Sequence, residues 1–128
     1  MKISENNAMF IRKLKDCPEF IAGDACQLRE LLNAKTDHRA YRYSLAHAAV
    51  KPGLTTKPHS LKTSEVYYIL EGTGVMRVNQ DTAKVGPGDC IDIPPQAVQS
   101  IENTGKIPLV FLCIVDPAWC PEDEQVLS

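Results

Sequence analysis

Short apolar runs separated by turn-forming residues fill the chain from Tyr41 to Val115, and this pattern most limits the possible folds. In the first run, up to Val50, successive side chains alternate between two faces as they do in a β-strand. Glycine, proline and asparagine bound the later runs. These later runs are residues 66–70, 75–78, 83–85, 90–93, 98–101 and 109–115. Many short strands joined by turns predict an all-β antiparallel sandwich or barrel.

A different pattern precedes Tyr41. Asp24 and Gln27 are spaced as a capping box, in which both side chains satisfy the first amides of a helix. Three leucines then fall on one helical face, at positions 28, 31 and 32. We therefore expect a short N-terminal helix of about three turns, docked on the barrel.

The 128 residues predict a single domain. Within it we expect three parts: an arm with the short helix over residues 1–40, a barrel over 41–118 and a surface tail over 119–128. Fourteen basic and sixteen acidic residues leave a net charge of −2, which disfavours nucleic acid as a partner. No apolar run approaches the roughly 20 residues that span a bilayer, so we expect no membrane partner.

The five cysteines predict a reducing compartment. Five is an odd number and no pair is spaced as CxxC, so neither a disulfide framework nor a zinc knuckle is indicated. The first residues also lack the apolar core of a signal peptide. We therefore expect a cytoplasmic protein.

Two stretches within the barrel region carry glycines, acids and a histidine at regular spacings. Residues 53–72 read GLTTKPHSLKTSEVYYILEG, and residues 86–103 read GPGDCIDIPPQAVQSIEN. They resemble the two motifs of the cupin superfamily: glycine, His-x-His, glutamate and glycine in the first, and a Pro-Gly-Asp turn, Ile-Pro, histidine and asparagine in the second. The resemblance covers roughly residues 41–116 and implies a double-stranded β-helix, which is a jelly-roll barrel. The glycines at 53, 72, 86 and 88, and Asn103, are interpreted as turn residues.

The resemblance is incomplete at the metal ligands. Members of the superfamily typically hold a metal with three histidines and one glutamate. His59 matches the first histidine and Glu65 the glutamate, whereas Leu61 and Gln99 stand in the places of the other two histidines. Because inward residues alternate along a strand, Leu61 and Tyr67 should face the barrel interior with them.

Two functional hypotheses remain open at this stage. In the first, a divalent metal is held by His59, Glu65 and Gln99, and this oxygen-rich set favours Mn²⁺, Fe²⁺ or Mg²⁺ over Zn²⁺ or Cu²⁺. The protein would then bind a small polar molecule through the metal, and the enzyme version would be a metal-dependent isomerase, lyase or dioxygenase. In the second, the barrel is a metal-free, non-catalytic module that binds or senses a ligand.

Without a metal, Glu65 needs a buried partner, and we expect His59 or Tyr67 to supply it. Such a pair could act as an acid–base couple, so Glu65 and Tyr67 are the candidate catalytic residues. His47 could replace a lost ligand if its face of the strand points inward, and Cys90 and Cys113 are candidates for extra soft ligands. The edges of a barrel need covering, so we expect a homodimer, with the arm before Tyr41 crossing to the neighbour as one way of forming it.

Overall fold

The computed structural model describes residues 8–127, and nearly all of its regular structure is β-strand. The strands are β1 Phe20–Ile21, β2 Gln27–Asn33, β3 Ser44–Val50, β4 His59–Leu61, β5 Ser64–Glu71, β6 Gly74–Val78, β7 Asp81–Val85, β8 Cys90–Ile93, β9 Gln99–Asn103, β10 Leu109–Asp116 and β11 Glu124–Val126. A single helical turn, α1, spans Ala34–Asp37, and 3-10 turns occupy Leu14–Asp16 and Pro121–Asp123. In this part of the chain, no helix is long and apolar enough to cross a membrane.

The strands form two antiparallel sheets that wind around each other. One sheet has the order β1-β2-β3-β10-β5-β8, and the other has the order β11-β4-β9-β6-β7. Between β3 and β10 the chain passes repeatedly from one sheet to the other, and only β6 and β7 follow each other within the same sheet. This winding is a double-stranded β-helix, which confirms the all-β barrel expected from the sequence.

The core lies between the two sheets, because alternate side chains of each strand point inward. On β5 and β10 the buried residues alternate with exposed or half-buried ones. Ile69, Ile101 and Phe111 are almost completely buried. The rings of Tyr67 and Phe111 pack with their centroids 4.5 Å apart, within the range that favours aromatic pairs.

The predicted turn residues have the expected structural roles. Gly72 has a φ of +82°, and a Cβ there would lie 2.7 Å from the Pro108 carbonyl oxygen, so both conformation and space require glycine. Asn103 is buried, and its side-chain amide donates to the carbonyl oxygens of Val50 and Ile107 at 2.9 and 2.8 Å. Asn103 therefore ties the loop before β10 to the end of β3.

The position predicted for the N-terminal helix is wrong, because Gln27–Asn33 form strand β2, which pairs with β3. The register shifts between Glu30 and Leu32, so Leu31 is an extra residue in a β-bulge. A bulge breaks the two-residue alternation, and this produced the helix-like spacing of the leucines. An α-helical turn starts later, at Ala34, and Asn33 caps it by accepting a hydrogen bond from the Lys35 amide at 3.0 Å.

Both ends of the chain add strands to the sheets. In the segment expected as a surface tail, residues 124–126 form β11, which pairs with β4 at the edge of the five-stranded sheet. At the other end, β1 and β2 extend the six-stranded sheet, so much of the expected arm is part of the barrel. Residues 1–7 of that arm and residue 128 of that tail lie outside the described residues.

Two isoleucines of contrasting burial test the position of the core. Ile101 is completely buried on β9, whereas Ile107 is 52% exposed in the loop before β10. We expect Ile101→Ala to lower the free energy of unfolding by about 2–5 kcal/mol, because it removes a packed side chain and leaves a cavity. Ile107→Ala should change it by less than about 0.5 kcal/mol. Denaturant unfolding measures both, and equal losses would contradict the assignment of the core.

Candidate functional site

A cavity of about 260 Å³ lies inside the barrel, with room for roughly eight or nine waters. Its wall comes from the inner faces of β3, β4, β5 and β10, and it is completed by the segments around β1 and β11. The lining residues are Phe20, Ile21, Ala22, Gly23, Asp24, Cys26, Leu28, Glu30, Ser44, Ala46, His59, Leu61, Glu65, Tyr67, Cys113, Val115, Trp119 and Glu124. The structure therefore brings His59, Leu61, Glu65 and Tyr67 to one cavity, as the motif spacing predicted.

His59 stands on β4 and is 3% exposed. Its Nδ1 lies 3.0 Å from the Lys57 carbonyl oxygen, and because a carbonyl only accepts, Nδ1 carries the hydrogen. Its Nε2 faces the carboxylate of Asp24 at 3.6 Å, which is too long for a hydrogen bond. The outer nitrogen of the imidazole is therefore oriented but not hydrogen-bonded by the described residues.

Glu65 is paired with Gln99 across the barrel. The Gln99 Nε2 donates to Glu65 Oε1 at 2.7 Å, and the bond joins β9 in one sheet to β5 in the other. Burial raises the pKa of Glu65 to about 8, and the carboxylates of Asp24 and Glu124 raise it further while the Gln99 bond opposes the shift. Glu65 is therefore mostly protonated at pH 7, and its Oε2 makes no hydrogen bond with the described residues.

The partner expected for Glu65 is wrong, since neither His59 nor Tyr67 bonds to it. The register places Gln99 directly opposite His59, and this brings the amide of Gln99 within reach of the glutamate. The ionic neighbour of His59 is Asp24 instead. A neutral carboxyl group needs a hydrogen bond more than a counter-charge, and the amide supplies it.

Tyr67 faces the cavity from β5 and contacts the core with its ring. Burial and the nearby Glu65 hold the pKa of its hydroxyl well above the usual value, so the group stays a neutral phenol. That hydroxyl makes no hydrogen bond with the described residues. Leu61 is also buried here and gives the wall an apolar surface where the family pattern has a histidine.

Most of the cavity lining lies outside the cupin motifs, and for three of these residues, Asp24, Trp119 and Glu124, sequence reasoning missed a role in the cavity. Asp24 was interpreted as a helix cap, but its Oδ1 accepts a hydrogen bond from the Cys26 amide at 3.0 Å and its Oδ2 faces His59. Trp119 donates from Nε1 to Glu124 Oε1 at 3.2 Å. Burial is the largest cause of a raised pKa at Glu124. No local signal marks these residues, because only the pairing of the terminal strands brings them to the barrel.

Two of the weaker candidates lie away from the cavity. Ala46 and Ser44 face inward on β3, so His47 faces the opposite side of the sheet. Cys90 is exposed on β8. Cys113 does line the cavity, but burial raises the pKa of its thiol well above the usual value, so it is protonated.

The side chains present can be compared with what a metal centre needs. Within residues 8–127, no three histidine, cysteine or acidic side chains are grouped to hold one ion. One hydrogen of the Gln99 amide is committed to Glu65, and Glu65 is neutral near pH 7. The Gln99 carbonyl oxygen makes no hydrogen bond with the described residues, but metal ligation also needs a charged carboxylate, so the neutral Glu65 suits a hydrogen-bonded pair better than a metal-ligating set. The metal set of His59, Glu65 and Gln99 remains a prediction.

A two-sheet barrel with a small, mostly apolar cavity that holds a few polar groups defines a jelly-roll domain of the ligand-binding type. Residues 46–115 match the Cupin domain family, which covers more than half of the chain. The chain therefore belongs to the cupin family.

Three similar proteins fit this assignment. The chain is 40% identical over 110 residues to an uncharacterised protein of Methanocaldococcus jannaschii, covering 85% of this chain and 87% of that one. It is 29% identical over 119 residues to the oxalate-binding protein of Thermotoga maritima, covering 88% of this chain and 98% of that one. The crystal structure of a predicted oxalate decarboxylase from Thermotoga maritima superposes with a TM-score of 0.73 at 25% identity. The superposition covers 85% of this chain and 99% of that one.

The protonation of Glu65 makes stability depend on pH. Its pKa is about 8 in the folded protein and near 4.5 in the unfolded chain, so folding favours the protonated form. The contribution of Glu65 is fully present below about pH 4.5 and is lost as pH rises through 8. Between these values the free energy of unfolding should fall by about 1.4 kcal/mol per pH unit from this group.

Glu65→Gln should remove this component of the pH dependence, because its amide does not titrate. Glu102→Gln is the matched control, since Glu102 is only half-buried on β9. Urea unfolding at several pH values from 5 to 9 measures both variants against the parent. A slope that is unchanged in Glu65→Gln would contradict the burial of Glu65 as a neutral acid.

Proposed function

We propose that this cupin binds a small polar molecule inside its barrel through its own hydrogen-bonding groups, without a bound metal. The observation that carries the proposal is the set of polar atoms left without hydrogen-bond partners among the described residues around one cavity: Nε2 of His59, Oε2 of Glu65 and the hydroxyl of Tyr67. A ligand that hydrogen-bonds to these three atoms gains affinity and a fixed orientation.

The relatives support the general class of function. A protein of Thermotoga maritima that is similar over most of both chains is named for binding oxalate, a small oxygen-rich molecule. The departures at Leu61 and Gln99 are the reason to separate the binding function from the metal here. Leu61 contributes only hydrocarbon to the wall, and Gln99 bonds to Glu65.

An acid–base reaction is a second candidate, and the pKa of Glu65 favours it. A value of about 8 allows the group to donate or accept a proton near neutral pH, as an enolisation or lyase reaction requires. Tyr67 would then orient the substrate through its neutral hydroxyl. In this case Glu65→Gln would abolish turnover while substrate binding persists, which separates catalysis from binding.

We also propose that the protein is a homodimer in a reducing, cytoplasmic setting. The outer face of the six-stranded sheet presents Tyr68 and Leu70 on β5 and Ile114 on β10, all about 40% exposed. Leu112 pairs with Tyr68 and lies beside them on the same face. Apolar side chains grouped on one sheet face are typical of a surface that a second subunit covers. The free cysteines agree with a reducing compartment.

A cavity-filling pair of variants tests the binding function. Ala46 lines the cavity on β3, whereas Ala49 lies on the outer face of the same strand. We expect calorimetry with oxalate, ethanolamine and erythritol to show that at least one binds to metal-free parent protein. Ala46→Phe should abolish that binding because the ring fills the cavity, and Ala49→Phe should retain it. A parent protein that binds none of these three compounds and does not bind choline either would contradict the proposal.

Elemental analysis distinguishes the metal-free protein proposed here from a protein with a metal at the ligands predicted from the motifs. The parent is purified without a nickel column and after growth with added Mn²⁺ and Fe²⁺, beside a His59→Ala/Glu65→Ala double variant. We expect the same background metal in both proteins. One Mn²⁺, Fe²⁺ or Mg²⁺ per chain that is absent from the double variant would establish the metal set instead.

Light scattering tests the homodimer. We expect a mass of about twice 14.2 kDa for the parent. Tyr68→Glu should shift the protein to the monomer, because it buries a charge in the apolar contact. Lys84→Glu on β7, which lies in the other sheet, is the control, and we expect this variant to remain a dimer. A parent that is monomeric at micromolar concentrations would contradict this proposal.

A further inference from the structure

The charge of the cavity wall is uneven, and this property goes beyond the presence of polar groups. Four acidic side chains contribute to the lining: Asp24, Glu30 and Glu124, together with Glu65, which is mostly protonated near pH 7 and adds little negative charge. Among the described residues that form it, there is no lysine or arginine. His59 is the one basic side chain there, and its Nε2 faces Asp24. A free dicarboxylate would therefore enter a low-dielectric space with an excess of like charge, which costs free energy.

Aromatic rings make up a second feature of the same wall. Phe20, Tyr67 and Trp119 all line the cavity. The Trp119 Nε1 donates to Glu124 Oε1 at 3.2 Å, so the indole lies beside a carboxylate and is fixed by it. An aromatic face attracts a cation through the quadrupole of the ring, and a neighbouring carboxylate attracts it through its negative charge. The attraction grows when water is excluded.

Glu65 also offers an oxygen to a ligand. Glu65 is 6% exposed, and its Oε1 is occupied by Gln99, which does not line the cavity. Oε2 makes no hydrogen bond with residues 8–127, so it is the atom that Glu65 leaves for the cavity. A ligand in the cavity can therefore hydrogen-bond to this oxygen without displacing Gln99.

We infer that the ligand of this cavity is a small organic cation, that is, a quaternary ammonium or protonated amine compound with a polar group. The inference rests on the proposed function, because it names the class of molecule that the metal-free cavity takes. The cationic head would lie against Trp119 and the carboxylates of Asp24 and Glu124. The polar group would reach Oε2 of Glu65. An inorganic cation fits less well, because no three ligating side chains in the described part of the chain are grouped around a single point.

The cavity volume sets the size of the ligand. About 260 Å³ is below the range of drug-sized pockets, so the compound has few heavy atoms. Choline fits this description, and its neutral isostere 3,3-dimethylbutan-1-ol has the same shape without the charge. Comparing the two compounds isolates the contribution of the charge from that of size and hydrophobicity.

Calorimetry on the metal-free full chain at low salt tests the inference with choline, ethanolamine, 3,3-dimethylbutan-1-ol, erythritol and oxalate. We expect choline to bind about tenfold or more tightly than its neutral isostere, as a desolvated cation–aromatic contact predicts, and oxalate not to bind. Trp119→Leu and Glu124→Gln should each weaken choline binding about tenfold. Glu102→Gln, on the half-buried part of β9, should leave it unchanged.

The possible outcomes separate this inference from the proposed function. If oxalate or erythritol binds and Ala46→Phe abolishes that binding, the cavity is a ligand site but the inferred ligand class is wrong. Equal affinity for choline and its isostere would also overturn the inference, because charge would then play no part. Binding of none of the five compounds would overturn both proposals. Choline binding that survives Ala46→Phe would place the cation elsewhere and overturn the inference.

Discussion

The hydrogen bond from Gln99 to Glu65 is the interaction on which the rest of the site depends. It is 2.7 Å long, it is buried, and it joins the two sheets across the inside of the barrel. A charged glutamate at this depth would need a metal or a basic partner, whereas a protonated one needs only the amide. Gln99 therefore lets the barrel keep a polar interior at the position where the family pattern places a metal ligand.

This exchange of a histidine for an amide changes what the cavity can recognise. A metal would supply positive charge and attract oxygen-rich anions such as oxalate. Here the wall holds acidic side chains and aromatic rings instead, from Asp24 and Glu124 to Trp119. Members of one fold family differ in function through such differences in the site, and the fold alone does not determine the ligand.

The sequence predicted the barrel well because its strands are bounded by strong local signals. Alternating apolar runs and turn residues located β3 and the strands from β5 to β10, and motif spacing placed His59 and Glu65 on inner positions. The N-terminal region failed because a bulge at Leu31 imitates helical spacing. Asp24 was missed because the segment after it was expected to be a helix, whereas it forms β2. Glu124 could not be found, since it reaches the cavity only through pairing of β11 with β4, two strands that are far apart in the chain. Long-range pairing of this kind leaves no periodic mark on a single sequence.

The protonation state of Glu65 is the most direct test of the account as a whole. Carbon-13 NMR of the Glu65 side-chain carboxyl, assigned by comparison with Glu65→Gln, follows its titration in the folded protein. We predict an apparent pKa of about 8, which means that Glu65 is a neutral acid at pH 7 inside the barrel. A pKa near the ordinary value of about 4.5 would show that the group is solvated or paired with a cation, and it would contradict the account.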